Sequence, residues 1–201
     1  MIHPSTELRF INNEIGYGVV ATELIPKGTI TWALDKLDRE FTSLEILAMD
    51  EPYQEILSRY CYRNNVGKFV LAWDNGRYVN HSFRSNCMST AYDFEIAIRD
   101  IQPGEELTDD YGYLNLPHAF RATDEGTRRK YVRPDDLAKY YKIWDKQLLP
   151  AFKRINHVAQ PLQRILPAET WETCLKISKG EVPMTSILDI YFDPAKDETP
   201  S

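Results

Sequence analysis

The chain changes its hydrophobic period once, and that change limits what it can fold into. Through about residue 100 the apolar residues come in short runs: "LRFI" (8–11), "YGVVAT" (17–22), "TITWAL" (29–34), "KFVLAW" (68–73) and "YDFEIAI" (92–98). The runs are rich in β-branched and aromatic residues and are bounded by Gly, Pro or Asn, the pattern of short strands. "IPKGT" (25–29) and "IQPGEE" (101–106) read as turns that follow strands. From Pro134 onward the spacing becomes three and four: Leu137, Tyr140, Tyr141, Trp144, Leu148, Phe152 and Ile155 make one helical face. Pro150 is expected to kink or split that helix. A second helix is expected from Ala168 to about Lys179, stopping at Gly180. A small helical insert interrupts the strands. Thr42 and Glu45 form a capping box ahead of "LEILAM", and Pro52 suits the first turn of "PYQEILSRY". The closing "DPAKDETPS" reads as a frayed tail.

The fold class is therefore mainly β with helices, ending in a helical extension. The boundaries are 1–118 for the strand-rich body and 119–201 for the extension. No apolar run reaches the roughly 18–20 residues of a membrane helix, and the N-terminus lacks the layout of a secretory signal. Three cysteines, Cys61, Cys87 and Cys174, at wide spacings give no disulfide framework and no zinc motif. They point to a reducing, intracellular compartment, cytoplasmic or nuclear. Net charge is -6, unevenly spread: residues 1–118 hold 10 Lys and Arg against 18 Asp and Glu. An acidic body argues against direct nucleic-acid binding and suits a cationic partner.

Three stretches could carry chemistry. "GYG", Gly16-Tyr17-Gly18, can bring a ligand close to the backbone, or can simply be a hairpin turn. "GRYVNHSFRSNC" (76–87) holds Asn80-His81 at a strand end. Asn offers both a donor and an acceptor, while a lone His suits a hydrogen-bonded structural role better than metal ligation. A nucleophilic Cys87–His81 pair has no identifiable orienting group. In "GEELTDDYGY" (104–113), Tyr111 follows two acids. Taken alone it is a strand-end tyrosine with a bonded hydroxyl.

In this order and spacing the blocks resemble the SET domain of protein-lysine methyltransferases, over residues 6–116. The resemblance implies a β-fold of small sheets with a pseudoknot, in which the Asn80-His81 segment threads beneath the loop carrying Tyr111. It implies S-adenosylmethionine as cofactor, lined by Gly16, Tyr17 and Gly18 through their backbone. Asn80 would meet its amino-acid part, the main chain of His81 its adenine, and Tyr111 the methyl-transfer point. Tyr60, Tyr62 and Trp73 are candidate walls of a lysine channel, with Asp109 at its mouth. The implied activity is lysine N-methylation of a basic protein substrate. The alternative is a catalytically weak module that binds partner proteins. Phe83-Arg84-Ser85-Asn86 stands where the family usually continues Cys-x-Pro-Asn, and residues 117–137 carry no Cys-rich zinc segment. The helical extension, with Tyr140, Tyr141 and Trp144, is thus the candidate lid, and its apolar face could also pack on a second copy of the chain.

Overall fold

The computed structural model describes residues 1–193; residues 194–201, most of the expected frayed tail, lie outside the described residues. In chain order, strands β1 (Thr6–Asn12) and β2 (Gly16–Ala21) form a hairpin, followed by β3 (Ile30–Ala33) and β4 (Arg39–Phe41). Helices α1 (Ser43–Leu47) and α2 (Glu51–Tyr60) make the insert. Then come β5 (Cys61–Arg63), β6 (Phe69–Leu71), β7 (Asn80–His81), β8 (Cys87–Ser89), β9 (Phe94–Ala97) and β10 (Thr108–Asp109). A last small pair, β11 (Phe120–Arg121) and β12 (Tyr131–Val132), precedes α3 (Asp136–Phe152) and α4 (Ala168–Lys179). The two three-stranded sheets run β3-β9-β8 and β4-β6-β5, all antiparallel. β7 and β10 pair in parallel.

Local chemistry sets several boundaries. Thr42 caps α1 as a capping box: its hydroxyl accepts from Glu45 N at 3.2 Å, and Glu45 Oε2 accepts from Thr42 N at 2.7 Å. α4 stops at Gly180, which is left-handed at φ 75°. Pro150 does not split α3, which runs unbroken to Phe152. It lies in the last turn, so it removes only one late hydrogen bond and has little helix beyond it to disrupt.

The face of α3 forecast from spacing is buried against the body. Leu137, Trp144, Leu148 and Phe152, continued by Ile155, share one core with Ile30, Met88, Phe94 and Ile96 of the strands. Trp144 meets Tyr113 edge to face, with ring centroids 5.2 Å apart. That face is therefore occupied within the chain.

Gly28 joins the two halves. Its φ is +93°, and a Cβ there would sit 2.8 Å from Arg154 Cβ and 2.9 Å from the Ala151 carbonyl. Gln160 Nε2 also donates to its carbonyl, at 2.7 Å. Gly28→Ala adds left-handed strain to a backbone clash and is expected to lower stability by about 1–3 kcal/mol. A urea midpoint that does not move would refute this.

Candidate active site

The site is built where β2, β7 and the segment leading into β10 converge. β7 and β10 align Asn80 with Thr108 and His81 with Asp109, and Ser82 N donates to the Asp109 carbonyl at 2.8 Å. On the other side, Leu107 N donates to the Val19 carbonyl at 2.8 Å. Asn86 closes the turn between β7 and β8. Its Nδ2 donates to the Glu106 carbonyl at 2.8 Å, and its Oδ1 accepts from Thr108 N at 2.9 Å. Those bonds tie the loop to the segment leading into β10.

Asn80 is clamped: its Nδ2 donates to the Tyr17 carbonyl at 3.0 Å and to Glu106 Oε1 at 2.7 Å. The clamp explains one glycine of "GYG". A Cβ at Gly18 would collide with the Glu106 carboxylate and sit 2.9 Å from Asn80 Nδ2, so Gly18 provides room. Gly16 instead adopts φ 83° at the hairpin turn. The Tyr17 ring is largely exposed.

His81 Nδ1 accepts from Tyr111 N at 3.2 Å. Its ring lies among Phe83, Tyr111 and Phe120, with centroids 4.6, 5.4 and 5.7 Å away. Burial holds its pKa below the ordinary histidine value. A neutral ring that accepts at Nδ1 carries its proton on Nε2, and Nε2 is buried without a protein partner. The pairing Cys87–His81 is not formed. Cys87 is fully buried, and burial pushes its thiol well above its usual range, away from the reactive thiolate.

Tyr111 opens a single 3-10 turn (Tyr111–Tyr113) capped by Asp110, whose Oδ1 accepts from Gly112 N at 3.0 Å. The Tyr111 hydroxyl donates to the Val79 carbonyl at 2.7 Å. Burial raises its pKa above the ordinary tyrosine value, so the hydroxyl stays protonated. It faces a cavity of about 320 Å³ whose walls include Trp32, Tyr60, Tyr62 and Phe120.

Three expectations about this cavity need correcting. Trp73 is not part of it. β6 ends at Leu71, and Trp73 turns outward, donating from Nε1 to Asp35 Oδ2 at 3.0 Å. The indole wall is Trp32, set edge to face with Tyr62 at 5.9 Å. Asp109 is not at a mouth: it is only 2% exposed, and its Oδ1 accepts from the Tyr113 hydroxyl at 2.8 Å. Beside it, Glu95 of β9 also lines the cavity, and the two carboxyls are hydrogen-bonded to each other. The helical extension is not the lid of this cavity. Trp144 lies behind Tyr113, while Leu114, Leu116, Pro117 and His118 complete the wall.

The structure brings Tyr60, Tyr62, Asp109 and Tyr111 to the cavity, with Asn80 and His81 beside Tyr111, and adds Trp32, Glu95 and Glu106, which sequence reasoning did not single out. The one available signal was Glu95, a lone carboxylate between Phe94 and Ile96 in a strand with few other polar residues.

Residues 16–112 match the family model described as the SET domain. The chain carries a SET domain. A search of curated proteins finds no match. SET domains generally are methyltransferases and typically use S-adenosylmethionine. The matched stretch begins at Gly16 and ends one residue after Tyr111, so it spans Asn80, His81 and every strand pairing described around them.

Proposed function

We propose that the protein is an S-adenosylmethionine-dependent protein-lysine N-methyltransferase. The observation that carries this is the position of Tyr111. A protonated hydroxyl is pinned at one wall of a narrow aromatic cavity, next to the Asn80 clamp and the His81 ring. The parallel pairing of β7 with β10 is the contact that the threaded arrangement of the family would require.

The residues present fit the cofactor. His81 Nε2 is a buried donor with no protein partner. Asn80, His81 and the backbone of residues 16–18 would hold it. Arg77, at the cavity edge, would add a cation for a carboxylate. When bound, S-adenosylmethionine supplies a methyl group on a sulfonium. The chain's own task is alignment, because an in-line displacement gains most from fixed geometry. Tyr111 acts as an orienting and electrostatic group, since burial keeps its hydroxyl protonated and leaves little phenolate to act as a base. The aromatic walls exclude water from the methyl-transfer point, and the amine, whose reference pKa is about 10.4, must lose its proton before it attacks. The acidic 1–118 body supports a substrate lysine in a basic protein segment.

The test is calorimetric titration of S-adenosylmethionine into wild type, Asn80→Ala and Tyr111→Phe, with methyl transfer to a lysine-rich protein mixture assayed in parallel. Wild type should bind and transfer. Asn80→Ala should lose at least tenfold in affinity, about 1.4 kcal/mol. Tyr111→Phe should bind and lose at least a hundredfold in turnover, in line with the loss of one electrostatic donor. Cofactor binding with no transfer to any protein would favour the partner-binding alternative.

A further inference from the structure

The Glu95–Asp109 pair is chemically out of place among the aromatic walls. Glu95 faces Trp32 across the β3–β9 ladder, and Asp109 sits two residues before Tyr111 on β10. Two carboxyls in hydrogen-bond contact cannot both ionise easily, so the pair keeps one proton and one negative charge. Burial pushes both carboxyls above their ordinary range, Glu95 the further. The Tyr113 hydroxyl donates to Asp109 and so favours the charge there. No Lys or Arg forms an ion pair with either acid among the described residues. The N-terminal ammonium lowers the Glu95 pKa by less than burial and Asp109 raise it, so the enclosed negative charge is only partly offset and is costly. A second polar group in the same cavity is also unfilled. Trp32 is 6% exposed, lines the cavity, and its Nε1–H is buried without an acceptor.

We propose that the Glu95–Asp109 pair is the docking partner of the substrate amine, taking N–H donation from a primary ammonium and stopping its nitrogen beside Tyr111. The proposal rests on the methyltransferase reading only for the identity of the amine as the group to be methylated. Aromatic walls alone attract any cation, methylated or not. A carboxyl pair discriminates, because charge-assisted hydrogen bonds need N–H donors, and a trimethylammonium has none. The unfilled Trp32 N–H suits a water or carbonyl that accompanies the amine.

The test compares n-butylammonium with n-butyltrimethylammonium, two cations of equal charge, by calorimetry or ligand-observed NMR at neutral pH. Wild type should bind the primary ammonium about tenfold more tightly. In E95Q/D109N, which keeps the shape and removes the charge, the preference should vanish. Equal or tighter binding of the trimethyl probe by wild type, or no binding of either probe, overturns the proposal. So does a preference that survives in a folded double variant. The wild-type comparison decides the matter even if the double variant does not fold. S-adenosylmethionine titrated into the same samples separates the two readings. Ammonium preference without cofactor binding keeps the docking pair and removes the methyltransferase.

Discussion

Arg129→Ala is expected to cost about 3–5 kcal/mol of stability, the loss typical of breaking a buried ion pair from one side. The Arg129 guanidinium pairs with Asp110 and, through Nη2 at 2.5 Å, with Asp136. Both acids are buried, 4% and 2% exposed. The same guanidinium lies over the rings of Phe83 at 4.6 Å, Tyr140 at 4.9 Å and Trp144 at 5.6 Å. Gly112 permits this approach, since a Cβ there would come within 2.6 Å of Arg129 Nη2. Truncation leaves two carboxylates without a counter-charge and three rings without their shared partner. Burial already holds Asp110 above the usual carboxylate range despite Arg129, so removing the cation drives it further up. Arg129→Lys should recover only part of the loss, because a point charge cannot span two carboxylates or stack on rings. The triple variant R129M/D110N/D136N should recover most of it. Urea midpoints across the four proteins decide the case. An Arg129→Ala midpoint within about 1 kcal/mol of wild type would show that the clamp is not what ties α3 to the Tyr111 turn.

The consequence reaches the site through Asp110. Its backbone N–H donates to the Tyr113 hydroxyl at 2.9 Å, while its side chain caps the turn that presents Tyr111. Arg129 thereby links α3 to the Tyr111 turn from behind, although α3 and α4 contribute nothing to the cavity wall in front. Sequence patterning led to the right helix for the wrong reason. The Tyr140 and Trp144 face was legible as apolar, but whether it covered the cavity or the back of Tyr113 depended on the direction of chain return.

The same division runs through the rest of the fold. Elements with a local cause were readable: the Thr42–Glu45 box, the stop at Gly180, and the five apolar strands. β4, β5, β7, β8 and β10–β12 were not, since two or three residues become a strand only through a distant partner. The Asn80, His81 and Tyr111 motifs were visible because their residue types and spacing are specific. Choosing Trp73 over Trp32 failed because an all-apolar run has no alternation to say which side faces the cavity. Asp109 was found by position in the motif but misplaced at the surface, because its partners Glu95 and Tyr113 come from elsewhere in the fold.

Glu95→Gln is expected to make the protein more stable than wild type, by a margin that grows with pH. Glu95 has a folded pKa well above its unfolded one, through burial and the neighbouring Asp109. Above about pH 4.3 the unfolded chain has released a proton that the native state still holds, so wild-type stability falls as pH rises. The slope for this one group is about 1.4 kcal/mol per pH unit, until the folded Glu95 itself ionises. The substituted glutamine keeps the shape, and its amide N–H can still donate to Asp109, but it has no proton to lose. Asp38, Asp93 and Asp110, which burial also pushes up, tilt both proteins alike and cancel in the difference. Denaturation of wild type and Glu95→Gln from pH 5 to 8 measures the divergence. Parallel curves would mean that Glu95 is ionised in the folded protein and that the shared proton does not exist. Divergence would mean that the chain retains a carboxyl where an amide is more stable. Stability given up at an interior position, beside Tyr111 and within an aromatic cavity, is what a group kept for binding a cation looks like.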